Sequence, residues 1–101
     1  MAGKKKIIFV VNPISGTTRK SGICKLIENN LDKEYYDFSI VETQYSGHAS
    51  EISREAKDRG VDVVVAVGGD GTINEVARSI VNSDTALGII PCGSGNGYFF
   101  G

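Results

Sequence analysis

The run Val63–Val67 leads directly into Gly68-Gly69-Asp70-Gly71-Thr72-Ile73-Asn74-Glu75. Apolar, mostly β-branched residues end in a glycine turn, and an amphipathic pattern follows. That order reads as a buried parallel strand, a tight turn and a helix N-terminus. Such a turn presents backbone N–H groups and the positive end of a helix dipole to an anion. Glycines let a phosphate approach the backbone where a Cβ would block it. Asp70 is the unusual member, because a carboxylate among phosphates repels unless a metal or a reacting hydroxyl lies between them. The residues predict a nucleotide-phosphate site with chemistry beside it.

Known phosphate loops of other kinds do not fit. A dinucleotide fingerprint needs a third small residue where Asn74 stands. A P-loop needs a Gly-Lys pair, which the chain lacks. A protein-kinase glycine loop lies between antiparallel strands, which this pattern does not supply.

The elements that must position the turn alternate along the chain. Ile7–Val11 is apolar on both faces, as in a strand covered by helices on both sides. Asn12–Gly16 forms a turn. Ile23, Leu26, Ile27 and Leu31 share one helical stripe. Tyr36, Phe38 and Ile40 alternate with polar or smaller neighbours, which predicts a less buried strand. Ala49, Ile52 and Ala56 form a short stripe that Gly60 stops. Val61–Val67 is the central strand. Ile73, Val76, Ala77, Ile80 and Val81 form the cleanest stripe, with Thr72 and Glu75 as a capping box at its start. Leu87–Ile90 is a short last strand ended by Pro91.

Alternation at these lengths predicts one α/β domain over residues 1–101, a Rossmann-like three-layer α/β/α fold around a parallel sheet. Ligands on such sheets bind at the carboxyl ends of the strands. Those ends are Asn12–Gly16, Thr43–Gly47, Gly68–Thr72 and Pro91–Asn96. Apart from Gly60 and Gly88, every glycine-rich segment falls at that edge.

Bulk properties narrow the function. The chain has 101 residues, a formal net charge of −1 and 41% hydrophobic residues, a soluble domain rather than a dedicated nucleic-acid binder. Lys4-Lys5-Lys6 reads as a solvated lead-in to the first strand, with a contact to anionic lipid as the sharper alternative. Cys24 and Cys92 have no zinc-like spacing and read as small buried hydrophobes of a reducing, cytoplasmic compartment. No apolar run is long enough for a membrane span. His48 reads as a bystander near the ligand edge, and Tyr35 and Tyr36 as packing residues at a strand start.

The chain resembles the catalytic-domain family of diacylglycerol kinases and sphingosine kinases. Four segments carry the likeness: Asn12-Pro13-Ile14-Ser15-Gly16; Thr43 with Gly47; Gly68–Thr72 with Asn74-Glu75; and Pro91 with Gly93-Ser94-Gly95-Asn96. The central glycine motif is shared with NAD kinases and phosphofructokinases, but the opening Val-Asn-Pro segment and the Asn-Glu pair favour the lipid kinases.

The resemblance implies ATP as phosphoryl donor, with Mg²⁺, and a lipid hydroxyl as acceptor. It implies that Asn12, Pro13, Ile14, Ser15 and Gly16 hold the nucleoside side or the phosphates. Thr43 adds a hydroxyl, Gly68 to Glu75 wrap the triphosphate, and Ser94 serves where many relatives carry threonine. Asp70 orients either the magnesium-bound nucleotide or the acceptor hydroxyl. It also implies a following β-rich domain that supplies most of the acceptor site and a general base. The chain is therefore expected to be the N-terminal nucleotide-binding part of a longer, peripherally membrane-bound enzyme and inactive alone. Self-association through an uncovered sheet edge is a secondary expectation. Gly97-Tyr98-Phe99-Phe100 departs from the family pattern, as either a lipid-facing wall or core residues. Rival readings are an NAD kinase-like or other small-molecule kinase, and a non-catalytic nucleotide-binding module.

Overall fold

The computed structural model describes residues 3–13 and 20–91, with the side chains of 20–24 outside the description. Seven elements alternate as the sequence predicts: β1 (Lys5–Val11), α1 (Lys20–Asn30), β2 (Tyr36–Glu42), α2 (His48–Asp58), β3 (Val63–Gly68), α3 (Asp70–Ile80) and β4 (Ala86–Pro91). The strands form one parallel sheet in the order β2-β1-β3-β4.

Strand composition explains strand position. β3 and the Ile7–Val11 stretch of β1 are continuously apolar and lie inside the sheet with neighbours on both sides, so both of their faces are covered. Alternation puts β2 at one edge, where Asp37 and Ser39 are exposed. At the other edge, β4 leaves Leu87 39% and Ile89 48% exposed.

Because successive strand residues point to opposite faces, the sheet builds two cores. Val10, Val64 and Ala66 pack with Ala49 and Ala56 of α2 and with Val76 and Ile80 of α3. Ile7, Phe9, Val11, Val65 and Val67 pack on the other face with Ile27 of α1. There Phe9 meets Phe38 edge-on, at 6.1 Å between ring centroids and 89° between planes. Helices thus cover both faces, giving the expected three layers.

Two apolar stripes are narrower than their periodicity suggests. Leu26 is half exposed, and only Ile27 of its helix is fully buried among the described side chains. Val81 is 61% exposed, because α3 ends at Ile80 and Val81 is already extended at ψ 144°. Asn82 then takes the left-handed conformation at φ 63°. Gly60 is the helix stop the sequence predicts, with φ 78° just beyond α2. Ser53, which no sequence pattern flags, is fully buried in α2 with no hydrogen-bond partner among the described residues.

Candidate active site

Strand register brings the predicted segments together. Val11 pairs with Glu42 on one side and Val67 on the other, and Gly68 pairs with Pro91, so all four strand ends lie at one edge. The ladder continues one residue further: the Asn12 N–H donates to the Val67 carbonyl at 3.0 Å, and the Thr43 N–H to the Val11 carbonyl at 2.8 Å.

Helix α3 starts inside the glycine turn. Gly69 is its N-cap with extended backbone (φ −88°, ψ −169°), and the first helical bond runs from the Ile73 N–H to the Gly69 carbonyl at 3.1 Å. The amides of Asp70, Gly71 and Thr72 therefore have no intrahelical acceptor. No side chain among the described residues caps them. The expected capping box is absent, because the helix starts three residues earlier than the pattern suggests, with Gly69 rather than Thr72 as its N-cap. Thr72 is already its third residue, and its buried hydroxyl accepts a hydrogen bond from Asn12 Nδ2 at 3.2 Å. Glu75 lies in the second turn and faces a cleft instead.

The glycines divide by the reason for their lack of a side chain. A Cβ on Gly68 would lie 3.0 Å from Thr72 Oγ1 and 3.3 Å from Asn12 Cβ, so this glycine lets the end of β1 meet the first turn of α3. A Cβ on Gly69 or Gly71 would meet nothing within 4 Å among the described residues, and neither glycine has a positive φ. Among the described residues, neither backbone torsion nor packing requires glycine there.

A cleft of about 290 Å³ opens at this edge. Of the predicted residues, Asn12, Thr43, Gly71, Thr72 and Glu75 line it. Asp70 and Asn74 are exposed on the first turns of α3, and Ile73 packs its side chain against the core between α2, α3 and the sheet. Pro13 is exposed at the end of β1. Ile14, Ser15, Gly16 and Ser94 lie outside the described residues, as do Cys92, Gly93, Gly95, Asn96 and the aromatic run at 98–100, and so does the side chain of Cys24.

The opposite wall was not singled out by motif: Gln44, Tyr45 and Ser46, between β2 and α2. Tyr45 stacks on His48 at 4.4 Å with 15° between the rings, and its hydroxyl donates to Glu51 Oε1 at 2.6 Å. The Gln44 N–H donates to His48 Nδ1 at 2.9 Å. The hydrogen bond to Glu51 holds the Tyr45 phenol above its ordinary value of 10.0, with some desolvation and the carboxylate charge acting in the same direction. His48 thus orders the loop rather than facing a ligand. The sequence signal for this wall was its place between Thr43 and Gly47, the N-cap of α2 with φ 90°. Among the described residues, no group of three or more His, Cys, Asp or Glu side chains could hold a metal ion.

The family model described as "Diacylglycerol kinase catalytic domain" matches residues 6–100. The chain belongs to the diacylglycerol kinase catalytic domain family. A diacylglycerol kinase of Bacillus subtilis is 32% identical over 96 residues, covering 93% of this chain and 32% of the relative. A Streptococcus pneumoniae protein described as a candidate lipid kinase is 39% identical over 95 residues, covering 91% of this chain and 32% of the relative. Among solved structures, a candidate diacylglycerol kinase from Bacillus anthracis superposes with a TM-score of 0.73 at 28% identity, covering 88% of this chain and 31% of that one. The chain thus spans about a third of the length of these relatives. No helix among the described residues is long and apolar enough to cross a membrane.

Proposed function

We propose that the chain is the N-terminal nucleotide-binding part of an ATP-dependent lipid kinase, which transfers the γ-phosphoryl group to a lipid hydroxyl. The observation that carries this reading is the pair Gly69 and Gly71. Glycine in the first turn of a helix is a poor choice for stability, and among the described residues neither torsion nor packing demands it here. What remains is a ligand that needs the space, and the free amides at the α3 N-terminus make that ligand an anion.

In this reading the amides of Asp70, Gly71 and Thr72 take phosphate oxygens. The Asn12–Thr72 hydrogen bond fixes the end of β1 to the first turn, so the cradle is rigid before the nucleotide arrives. Thr43 supplies a hydroxyl at the neighbouring strand end. Tyr45, anchored by His48 and Glu51, offers an aromatic face to the nucleobase on the opposite wall. The family resemblance assigns Ile14, Ser15, Gly16 and Ser94, outside the described residues, to the same nucleotide.

The residues fit magnesium as a partner of the nucleotide rather than as a resident ion. Mg²⁺ is commonly held by one or two carboxylates with substrate phosphates and water, and the carboxylates on the first two turns of α3 are Asp70 and Glu75. When bound, the ion supplies neutralisation of the phosphate charge. Asp70 sits at the first position of α3, where a carboxylate suits the helix dipole but repels an unaccompanied phosphate. It is the residue assigned to the metal-nucleotide or to the acceptor hydroxyl. The acceptor side belongs to a following domain, consistent with the length of the relatives.

The test is phosphoryl transfer from labelled ATP by the full-length protein, offered diacylglycerol, sphingosine and NAD in parallel. Labelled lipid that disappears in Asp70→Asn supports the reading. Labelled NAD alone makes the protein a small-molecule kinase, and nucleotide binding without any transfer makes it a sensor.

A further inference from the structure

A second concavity, of about 370 Å³, lies between α2 and α3 on the outer surface of the domain. Arg54 and Lys57 of α2 and Arg78 of α3 line it, against one carboxylate, Glu75. None of these three cations forms an ion pair among the described residues, where the one salt bridge joins Arg59 to Glu55. The Ser79 hydroxyl is spent on the Glu75 carbonyl at 2.7 Å. Val81, 61% exposed, stands at the rim where α3 ends.

Lys57 and Arg78 sit in the last turns of their helices, where cations complement the dipole. That does not account for Arg54 in the middle of α2, nor for three unpaired cations converging in one groove of a chain whose net charge is −1. Glu75 lines both this groove and the cleft at the strand ends, so the two adjoin. The other basic run, Lys4-Lys5-Lys6, is at the start of β1, at the sheet edge opposite the cleft.

We propose that the groove between α2 and α3 docks the domain on anionic phospholipid headgroups, with Arg54, Lys57 and Arg78 on the phosphates and Val81 at the boundary with the acyl chains. Cations beside one exposed apolar residue match the chemistry of a bilayer surface better than that of a free anion, which would need no apolar contact. The choice of lipid over another polyanion rests on the lipid-kinase reading. The binding itself is independent of ATP and of turnover.

The experiment is sedimentation of the chain with vesicles of phosphatidylcholine, alone or mixed with phosphatidylglycerol, without nucleotide. The variants are Arg54→Gln/Lys57→Gln/Arg78→Gln and, as control, Lys4→Gln/Lys5→Gln/Lys6→Gln, both checked for native far-UV circular dichroism. The chain is expected to bind the anionic vesicles only, and less at high salt. Each groove cation contributes roughly fivefold, so the groove variant loses roughly 100-fold in affinity while the control loses clearly less. Equal losses in the two variants, equal binding to both vesicle types, or no vesicle binding with inorganic phosphate bound instead would each overturn the proposal. Phosphoryl transfer to lipid by the full-length protein is read separately, so failure of docking and failure of the kinase reading remain distinguishable.

Discussion

Replacing Gly71 with alanine should make the fold more stable and the nucleotide site worse. Gly71 is the second residue of α3, and a Cβ built there meets nothing within 4 Å among the described residues. Alanine therefore adds helix propensity and removes freedom from the unfolded chain without a clash, a gain of about 0.5–1 kcal/mol. For a domain of this size, that raises the melting temperature by roughly 2–8 °C. The same methyl enters the space proposed for a phosphate. Losing one charge-assisted hydrogen bond to a backbone amide costs about 1.5–3 kcal/mol, or roughly 10- to 150-fold in affinity. Thermal unfolding and Mg-ATP titration of the same sample measure both effects. Gly68→Ala is the contrasting control: its Cβ would lie 3.0 Å from Thr72 Oγ1, so it should cost about 1–3 kcal/mol in stability. Destabilisation by Gly71→Ala would refute the packing argument. A stabilised variant with unchanged nucleotide affinity would refute the ligand argument.

Other substitutions test separate parts of the account. Ser53 is fully buried with an unpartnered hydroxyl among the described residues, so Ser53→Ala should hold or raise stability by up to about 1–2 kcal/mol in urea unfolding. A loss instead would reveal a partner for that hydroxyl. Ile80→Ala should cost about 2–4 kcal/mol while Val81→Ser stays within about 0.5 kcal/mol, because the helix ends between them. Comparable losses would mean that α3 extends past Ile80 in solution. The Tyr45 phenol, held above 10.0 by Glu51, should ionise late in an alkaline absorbance titration, and Tyr45→Phe should remove that late component. The stabilisation from this contact is fully present below the unfolded pKa and disappears as pH rises through the higher folded value. The absence of a late component from the parent chain would show that the Glu51 contact does not form.

The sheet was legible because its strands differ in composition for a physical reason. Burial on both faces demands the unbroken apolar runs of β1 and β3, and an edge position permits the alternation of β2. The same logic located the carboxyl edge, since parallel strands must end together and the glycine-rich segments follow those ends. The start of α3 was misjudged because a Thr–x–x–Glu pattern does not reveal that Gly69 already caps the helix. Thr72 is set by its contact with Asn12, 60 residues away, which no local pattern reports. The Tyr45 wall depends on stacking and loop hydrogen bonds that have no sequence period. Leu26 and Val81 fit a helical stripe but lie beyond what the sheet can cover. Gly69 and Gly71 could be read as phosphate-facing from sequence, but only the empty space at their Cβ positions separates them from Gly68, whose role is packing.

The most direct measurement is a titration of the isotopically labelled chain with Mg-ATP, followed by amide resonances. The largest shifts should fall on Asp70, Gly71 and Thr72, with smaller ones at Thr43 and Tyr45, and Gly71→Ala should suppress them. Shifts centred away from the α3 N-terminus, or none at millimolar nucleotide, would contradict the claim that this helix end is a nucleotide-phosphate site.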